Sequence, residues 1–541
     1  MPSDADTLFA LLPEFLVAAA AVAAMVGGAF SRQSTVWWGV CTAGIGVAAI
    51  ALAQGLTAAD GLKSSEVAPL AFDNLGMVTR WAGLVLAMLF LLVGWSGAQT
   101  KAAGEFFGML TLVFLGLMLA GVATDIVLLF MSLELISIPT YVLLFLGRRG
   151  TRSSEATTKY FFLSIFSSAL FLYGLALLYG ATGSTQLDAI ASQFSTSGES
   201  GLMTALLPLA IVFIFAGLGF KIAAVPFHFY APDVYEATSN VNAGVLAVVP
   251  KVAGVVVLIR LASSIAQAET SLIWQIALVL SVLTMTVGNV CALWQNNVRR
   301  LMAYSSIAHA GYILIGIAVG CAETSIGNES GPGGFAASFF YVLVYAVASL
   351  GFFAALAHLG RGDEEIDRLD QLSGLSLRRP WLGGVMAICM FSLMGIPPLA
   401  GFWGKLTLFT GALQTAQSAG WDTGIGNWFV ALAIAGALNA AIAAAYYLRV
   451  VGTLYFGEMA IGKEAVRIGP AACAALACGV LVVGLGIAPG QLVRQCRGVG
   501  QPTPQAGPVV SADALNNRVS ASDTVESMVS ASPEAVPHGV R

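Results

Sequence analysis

Long apolar runs separated by short polar stretches dominate the chain. Runs long enough to span a bilayer fall at 8–29, 36–57, 75–95, 105–123, 125–146, 158–181, 203–225, 240–261, 271–294, 301–321, 335–359, 381–411, 428–451 and 468–489. One helix of about 20 apolar residues crosses the hydrocarbon. The runs are continuous and lack the period-two alternation of barrel strands, so helices are expected. The pattern predicts an all-α polytopic membrane protein with about 14 transmembrane helices.

Composition supports this reading. Of 541 residues, 57% are apolar and 10% charged, against about 25% charged in soluble domains. Mean hydropathy is +0.83. A water-soluble enzyme is excluded, and a net charge of −4 offers no basic footprint for nucleic acid. The partner that composition does imply is the lipid bilayer. None of the seven cysteines forms a CxxC pair, and most lie within apolar runs. They read as small buried hydrophobes rather than metal or iron–sulfur ligands. The first run follows Asp4 and Asp6 rather than a basic stretch, unlike a cleaved signal peptide.

Lys and Arg in the loops sort unevenly, 13 on one side and five on the other. The richer side is expected to be cytoplasmic, which puts both termini outside. The 361–379 loop carries nine charges and reads as a solvated cytoplasmic segment. Residues 498–541, rich in Pro, Ser, Ala and Val, read as a disordered polar tail.

Four charges stand alone inside apolar runs: Glu134, Lys221, Lys251 and Lys405. Each lies far from the ends of its run. An ionisable group at the bilayer centre costs at least about 2.5–3.5 kcal/mol, so such groups face one another or a wetted interior and mark ion paths. The alternative is a set of packing salt bridges. Lys159 has Arg152 and Glu155 nearby, so it is either a relay group or a helix-start lysine at the interface. Arg80, Arg260 and Arg449 lie nearer run ends, where snorkelling is expected.

Gly395-Ile396-Pro397-Pro398 interrupts the twelfth run, and Pro208 and Pro226 flank the seventh. Proline removes a helix donor and clashes with the preceding turn. Both helices are therefore expected to be discontinuous. Ala216-Gly217-Leu218-Gly219-Phe220-Lys221 also echoes Ala400-Gly401-Phe402-Trp403-Gly404-Lys405, and Leu258-Ile259-Arg260 echoes Tyr447-Leu448-Arg449. An offset of five helices inserts the two copies upside down. Inverted repeats with broken helices are a transporter architecture. The expected organisation is an N-terminal three-helix segment (1–104), a first repeat of helices 4–8 (105–261), a second of helices 9–13 (262–456), a last helix (457–497) and the tail.

Several motifs carry a family resemblance. Leu133-Glu134-Leu135 with Ser137, Pro139 and Tyr141 resembles an LEL-x-S-x-P-x-Y fifth helix. Lys159-Tyr160-Phe161 resembles the start of the sixth helix, and Tyr179 to Ser184 its end. Pro226-Phe227-His228 with Ala231-Pro232-Asp233-Val234-Tyr235, the stretch Leu301 to Tyr312, and Gly395 to Lys405 complete the set. Together they are similar to the subunit N family of bacterial proton-pumping NADH–quinone oxidoreductase, respiratory complex I, over roughly residues 8–490. The continuation after Tyr235, the Gly-rich insert at Gly327–Gly334 and the tail depart from that pattern.

The resemblance implies a chain without a redox centre or cofactor of its own. Quinone, FMN and iron–sulfur clusters are expected in partner subunits, among them paralogous antiporter-like subunits. Glu134 would be the fifth-helix acid and Lys221 its partner. Lys251 would be the central relay and Lys405 the output lysine. Burial disfavours an ammonium and a nearby carboxylate favours it, so moving Glu134 relative to Lys221 would load or release a proton. His309 reads as a further link or as a helix–helix hydrogen bond. His228 is expected to cap the broken seventh helix and His358 to be interfacial. A subunit of a multisubunit sodium–proton antiporter, or a structural subunit of a complex-I-like or membrane hydrogenase assembly, shares these features.

Overall fold

The structure, a computed structural model, describes residues 9–58, 66–67, 69–95, 102–148, 150–196, 201–268, 271–327, 333–360, 365–457 and 469–499. Among these residues 13 helices are long and apolar enough to cross a membrane. A shorter apolar helix, Pro380–Met394, is followed by Ala400–Ala419.

In chain order the first six are α1 (Leu12–Phe30), α2 (Ser34–Ala58), α3 (Asn74–Gly94), α4 (Ala103–Val122), α5 (Ile126–Leu146) and α6 (Thr151–Thr182). The seventh is split into α7a (Gly201–Ile222) and α7b (Tyr230–Ala237). Then come α8 (Asn240–Ile265), α9 (Leu272–Leu293), α10 (Val298–Ile326) and α11 (Gly334–Leu359). The twelfth is split into α12a (Pro380–Met394) and α12b (Ala400–Ala419), followed by α13 (Gly424–Phe456) and α14 (Pro470–Ile487). A strand pair, Glu66–Val67 with Leu70–Ala71, precedes α3.

Helices dominate because a backbone in lipid must satisfy its own hydrogen bonds. Side-chain oxygens start several of them. Asp73 accepts from Gly76 N–H at α3, Asp125 from Val127 and Leu128 at α5, Ser239 from Asn242 at α8, and Asn297 from Arg300 at α10. In the first half of the chain α4 packs on α5, α6 on α7a and α7a on α8. Farther along, α9 packs on α10, α11 on both halves of α12, and α12b on α13. The central helices α8, α10 and α11 are buried nearly all round, while α6 and α13 turn large apolar side chains such as Phe162 and Leu438 outward.

Both expected breaks are present, with one difference. The echoed segments do not sit alike relative to them. Lys221 lies in the last turn of α7a, before the break, whereas Lys405 lies in α12b, after it. The break in α7 therefore falls one residue beyond Lys221, and the lysine ends a helical half instead of standing mid-helix.

The arginines near run ends do not snorkel. Arg80 is 2% exposed and donates to both Glu14 oxygens, at 2.7 and 2.8 Å, and to Ala10 O. Arg260 forms a two-pronged pair with Asp73, at 2.6 and 2.7 Å, and also donates to Gly121 O. Arg449 donates to the carbonyls of Leu293 and Gln295. Each guanidinium has acceptors within the protein, which removes the need to reach water.

The charged loop is likewise not simply solvated. Residues 361–364 lie outside the described residues, but Glu365 and Asp367 fold inward onto Arg299, at 2.6 and 2.5 Å. Leu369, Leu372 and Leu375 are buried beside them. The C-terminal stretch stays ordered beyond α14 as a short helix, Gly490–Cys496, with Cys496 and Val499 buried. Residues 500–541, nearly all of the expected tail, and 328–332 of the Gly-rich insert lie outside the described residues.

Candidate functional site

A polar cluster joins α5, α6 and α7a. Glu134, Ser137 and Tyr141 recur on one face of α5, and Ser164 and Ser168 stand one turn apart on α6. Lys221 Nζ, at the end of α7a, donates to Ser137 Oγ at 2.6 Å, Ser168 Oγ at 3.2 Å and Ser164 Oγ at 3.3 Å. Glu134 Oε1 lies 3.6 Å from the same ammonium and accepts from Ser168 Oγ at 2.5 Å. Tyr141 donates to Ser164 at 2.7 Å. Lys221 is 4% exposed, and at that separation an effective dielectric near 20 gives an attraction of about 4 kcal/mol.

The second cluster lies between α8, α10 and α11. Lys251, 1% exposed on α8, donates to Ser306 Oγ and faces the Tyr345 ring at 5.7 Å. Tyr235 of α7b shares that serine hydroxyl at 3.4 Å. The His309 ring packs on Tyr345, with centroids 4.9 Å apart. Its Nδ1 is hydrogen-bonded to Tyr341 OH at 2.7 Å and its Nε2 to Tyr447 OH at 2.8 Å. Ser305 Oγ bonds Tyr447 OH at 2.5 Å. His309 thus makes the helix–helix hydrogen bonds of one expectation, and its ring rests on Tyr345, which Lys251 also faces.

The third lies at the break in α12. Lys405 Nζ donates to Met394 O at 2.8 Å, a carbonyl left free where α12a stops. It also faces the Tyr312 ring at 4.8 Å. Asn289 donates to Tyr312 OH at 3.3 Å and accepts from Tyr446 OH at 3.1 Å. Two glycines make the room. Gly395 has φ +93°, and a Cβ there would lie 3.0 Å from Lys405 Cδ. A Cβ on Gly401 would lie 1.8 Å from Ser392 O, so only glycine lets the halves approach.

Glu134, Lys221, Lys251, His309 and Lys405 are all brought into the interior. Lys159 is not. In the third turn of α6, its side chain is 49% exposed and pairs with Glu155 at 2.8 Å and Asp233 at 3.7 Å. His228 lies in the break between α7a and α7b. Its carbonyl accepts from Ala231 N–H, and Nδ1 is buried without a protein partner. His358 sits at the end of α11 against Trp381, 7% exposed. The seven cysteines are free, and five are buried. Among the described residues no group of three or more His, Cys, Asp or Glu is placed to hold a metal.

The residues that sequence reasoning missed are the neutral partners: Ser164, Ser168, Ser306, Tyr235, Tyr341, Tyr345, Tyr447 and Asn289. A signal was available in the four-residue spacing of Ser164 with Ser168 and of Tyr341 with Tyr345, which places each pair on one helix face.

Residues 123–431 match the family described as NADH:quinone oxidoreductase/Mrp antiporter, TM. The NADH-quinone oxidoreductase subunit N of Rhodospirillum rubrum is 35% identical over 457 residues, covering 83% of this chain and 87% of that protein. A chain of respiratory complex I from Thermus thermophilus, solved with bound aureothin, is 30% identical with a TM-score of 0.71, covering 89% of this chain and 98% of that one. A chain of the Mrp complex from Dietzia sp. has a TM-score of 0.77 at 20% identity, covering 94% and 99%, and so shares the fold. With relatives at this identity matched over most of both lengths, the chain belongs to the NADH-quinone oxidoreductase subunit N family.

Proposed function

We propose that this chain is the proton-translocating subunit N of a bacterial NADH–quinone oxidoreductase, driven by quinone reduction in neighbouring subunits. It works without a redox group of its own. Quinone, FMN and iron–sulfur clusters belong in this reading to partner subunits, and paralogous antiporter-like subunits flank it in the plasma membrane. The loop charges favour both termini on the outer face. An impermeant maleimide should then label Ser511→Cys in intact cells, and labelling only after lysis would reverse that orientation.

The observation that carries the reading is the Glu134–Lys221 pair inside its ring of serine hydroxyls. With Glu134 close, Lys221 holds a proton. When the carboxylate withdraws, the buried ammonium loses its counter-charge and gives the proton up. The three serines can each accept one proton as they donate another, which suits them to pass it on. Lys251, His309 and Lys405 continue the row toward α12, with Lys405 as the output group.

The test is proton ejection by the reconstituted complex. Lys221→Ala should leave an assembled complex that oxidises NADH with fewer protons moved per electron pair. Normal pumping by that variant would overturn the reading and leave a structural role. Sodium–proton exchange in vesicles without NADH would instead favour the antiporter alternative.

A further inference from the structure

The short helix α7b touches both halves of the relay. Its first residue, Tyr230, donates through its hydroxyl to Phe220 O across the break, one residue before Lys221. Tyr235, on the same helix, shares the Ser306 hydroxyl that accepts from Lys251. Nothing in the chemistry of Lys221 or Lys251 fixes α7b in this position, so the remaining contacts of α7b matter.

Lys159 of α6 pairs with Asp233 at 3.7 Å, and the start of α10 supplies the shorter charged contacts. Arg300 Nη1 donates to Asp233 Oδ1 at 3.0 Å and to Glu236 Oε2 at 2.9 Å, both on α7b. Arg299 Nη2 donates to the Glu236 carbonyl at 2.9 Å, and its own charge is met by Glu365 and Asp367. Arg300 and Ser306 lie on the same helix, as do Asp233 and Tyr235. The two helices are therefore pinned at two points: an ion pair at the polar end and the Tyr235–Ser306 bond inside. A rigid helix transmits the position of one end to the other.

We propose that Arg300 is a positioning residue. Through Asp233 and Glu236 it sets α7b, and through α7b it sets Tyr235 on Ser306, the hydrogen-bond partner of Lys251. The Arg300 and Asp233 side chains are about a third and nearly half exposed. Ion pairs this exposed are individually weak, so the pin can release during a cycle. A displaced Tyr235 removes one of the partners that share Ser306 with Lys251 and changes how readily that lysine exchanges its proton. This rests on the proton-translocating reading above.

The experiment measures protons moved per NADH and the NADH oxidation rate in the reconstituted full complex. Arg300→Ala and Tyr235→Phe should each lower the proton ratio to the level of Lys251→Ala. Arg300→Lys should restore most of it. The Arg300→Ala/Tyr235→Phe double variant should be no lower than either single, because both act on one contact. If Arg300→Ala fails to assemble, Tyr235→Phe alone decides. An unchanged ratio in Tyr235→Phe, no recovery in Arg300→Lys, or additive losses in the double variant would overturn the proposal. Losses confined to Lys221→Ala and Lys251→Ala would remove the role of Arg300 and keep the pump. Normal pumping in those lysine variants as well would remove the pump itself.

Discussion

Lys405 donates to the carbonyl of Met394 at 2.8 Å, so the ammonium of α12b closes the open end of α12a. The side chain that carries charge also completes the backbone of a helix to which it does not belong. A C-terminal helix end favours a cation, which explains how this lysine is held without a carboxylate bonded to it among the described residues.

Lys405→Met should therefore fail in two ways. It removes the charge and leaves the Met394 carbonyl buried without its donor, at a cost of about 1–3 kcal/mol. Proton ejection should fall and the thermal midpoint of the purified complex should drop. Lys405→Arg should recover much of the midpoint. Equal midpoints for the Met and wild-type proteins would show that the bond does not matter to stability.

Ser137 gives Lys221 its shortest hydrogen bond, 2.6 Å. A bond to a charged group contributes about 1.5–3 kcal/mol. Ser137→Ala should lower the protons moved per NADH by the reconstituted complex, because Lys221 loses its shortest hydrogen bond. An unchanged ratio would remove Ser137 from the relay.

Gly401 and Gly384 offer a paired test in α12. A methyl at Gly401 would collide with Ser392 O, whereas one at Gly384 would meet nothing within 4 Å. Gly401→Ala should abolish assembly and Gly384→Ala should assemble normally, as read by blue native electrophoresis of membranes.

Glu14 and Arg80 form a pair whose side chains are 5% and 3% exposed. Removing one partner strands the other charge, at a cost of about 3–5 kcal/mol. Glu14→Ala should lower the thermal midpoint markedly. The double variant Glu14→Leu/Arg80→Met should recover much of that loss, because an apolar pair of similar size leaves no stranded charge.

The chain shows its four isolated interior charges plainly because hydrocarbon is so intolerant of them. Glu134, Lys221, Lys251 and Lys405 stand out against long apolar neighbours. The break at Pro397-Pro398 is legible for the same local reason. What was hidden depends on distance along the chain. Arg80 meets Glu14 across 66 residues, and Arg260 meets Asp73 across 187, so near their run ends both looked like snorkelling groups. Serine and tyrosine were hidden differently: each packs well in any membrane helix, and only its neighbour in space shows that Ser168 or Tyr447 has a polar task. Lys159 was ambiguous for a local reason: Glu155, one of its two partners, lies one helical turn away, whereas Asp233 is distant along the chain.

The three interior lysines rest on three unlike oxygens: a carboxylate with hydroxyls, a single serine shared with a tyrosine, and a main-chain carbonyl. A carboxylate can swing away, a hydroxyl can rotate, and a carbonyl at a helix end can do neither. In the proton-translocating reading proposed above, each lysine is therefore freed by a different movement, and the row is a staircase of unlike treads rather than a uniform wire.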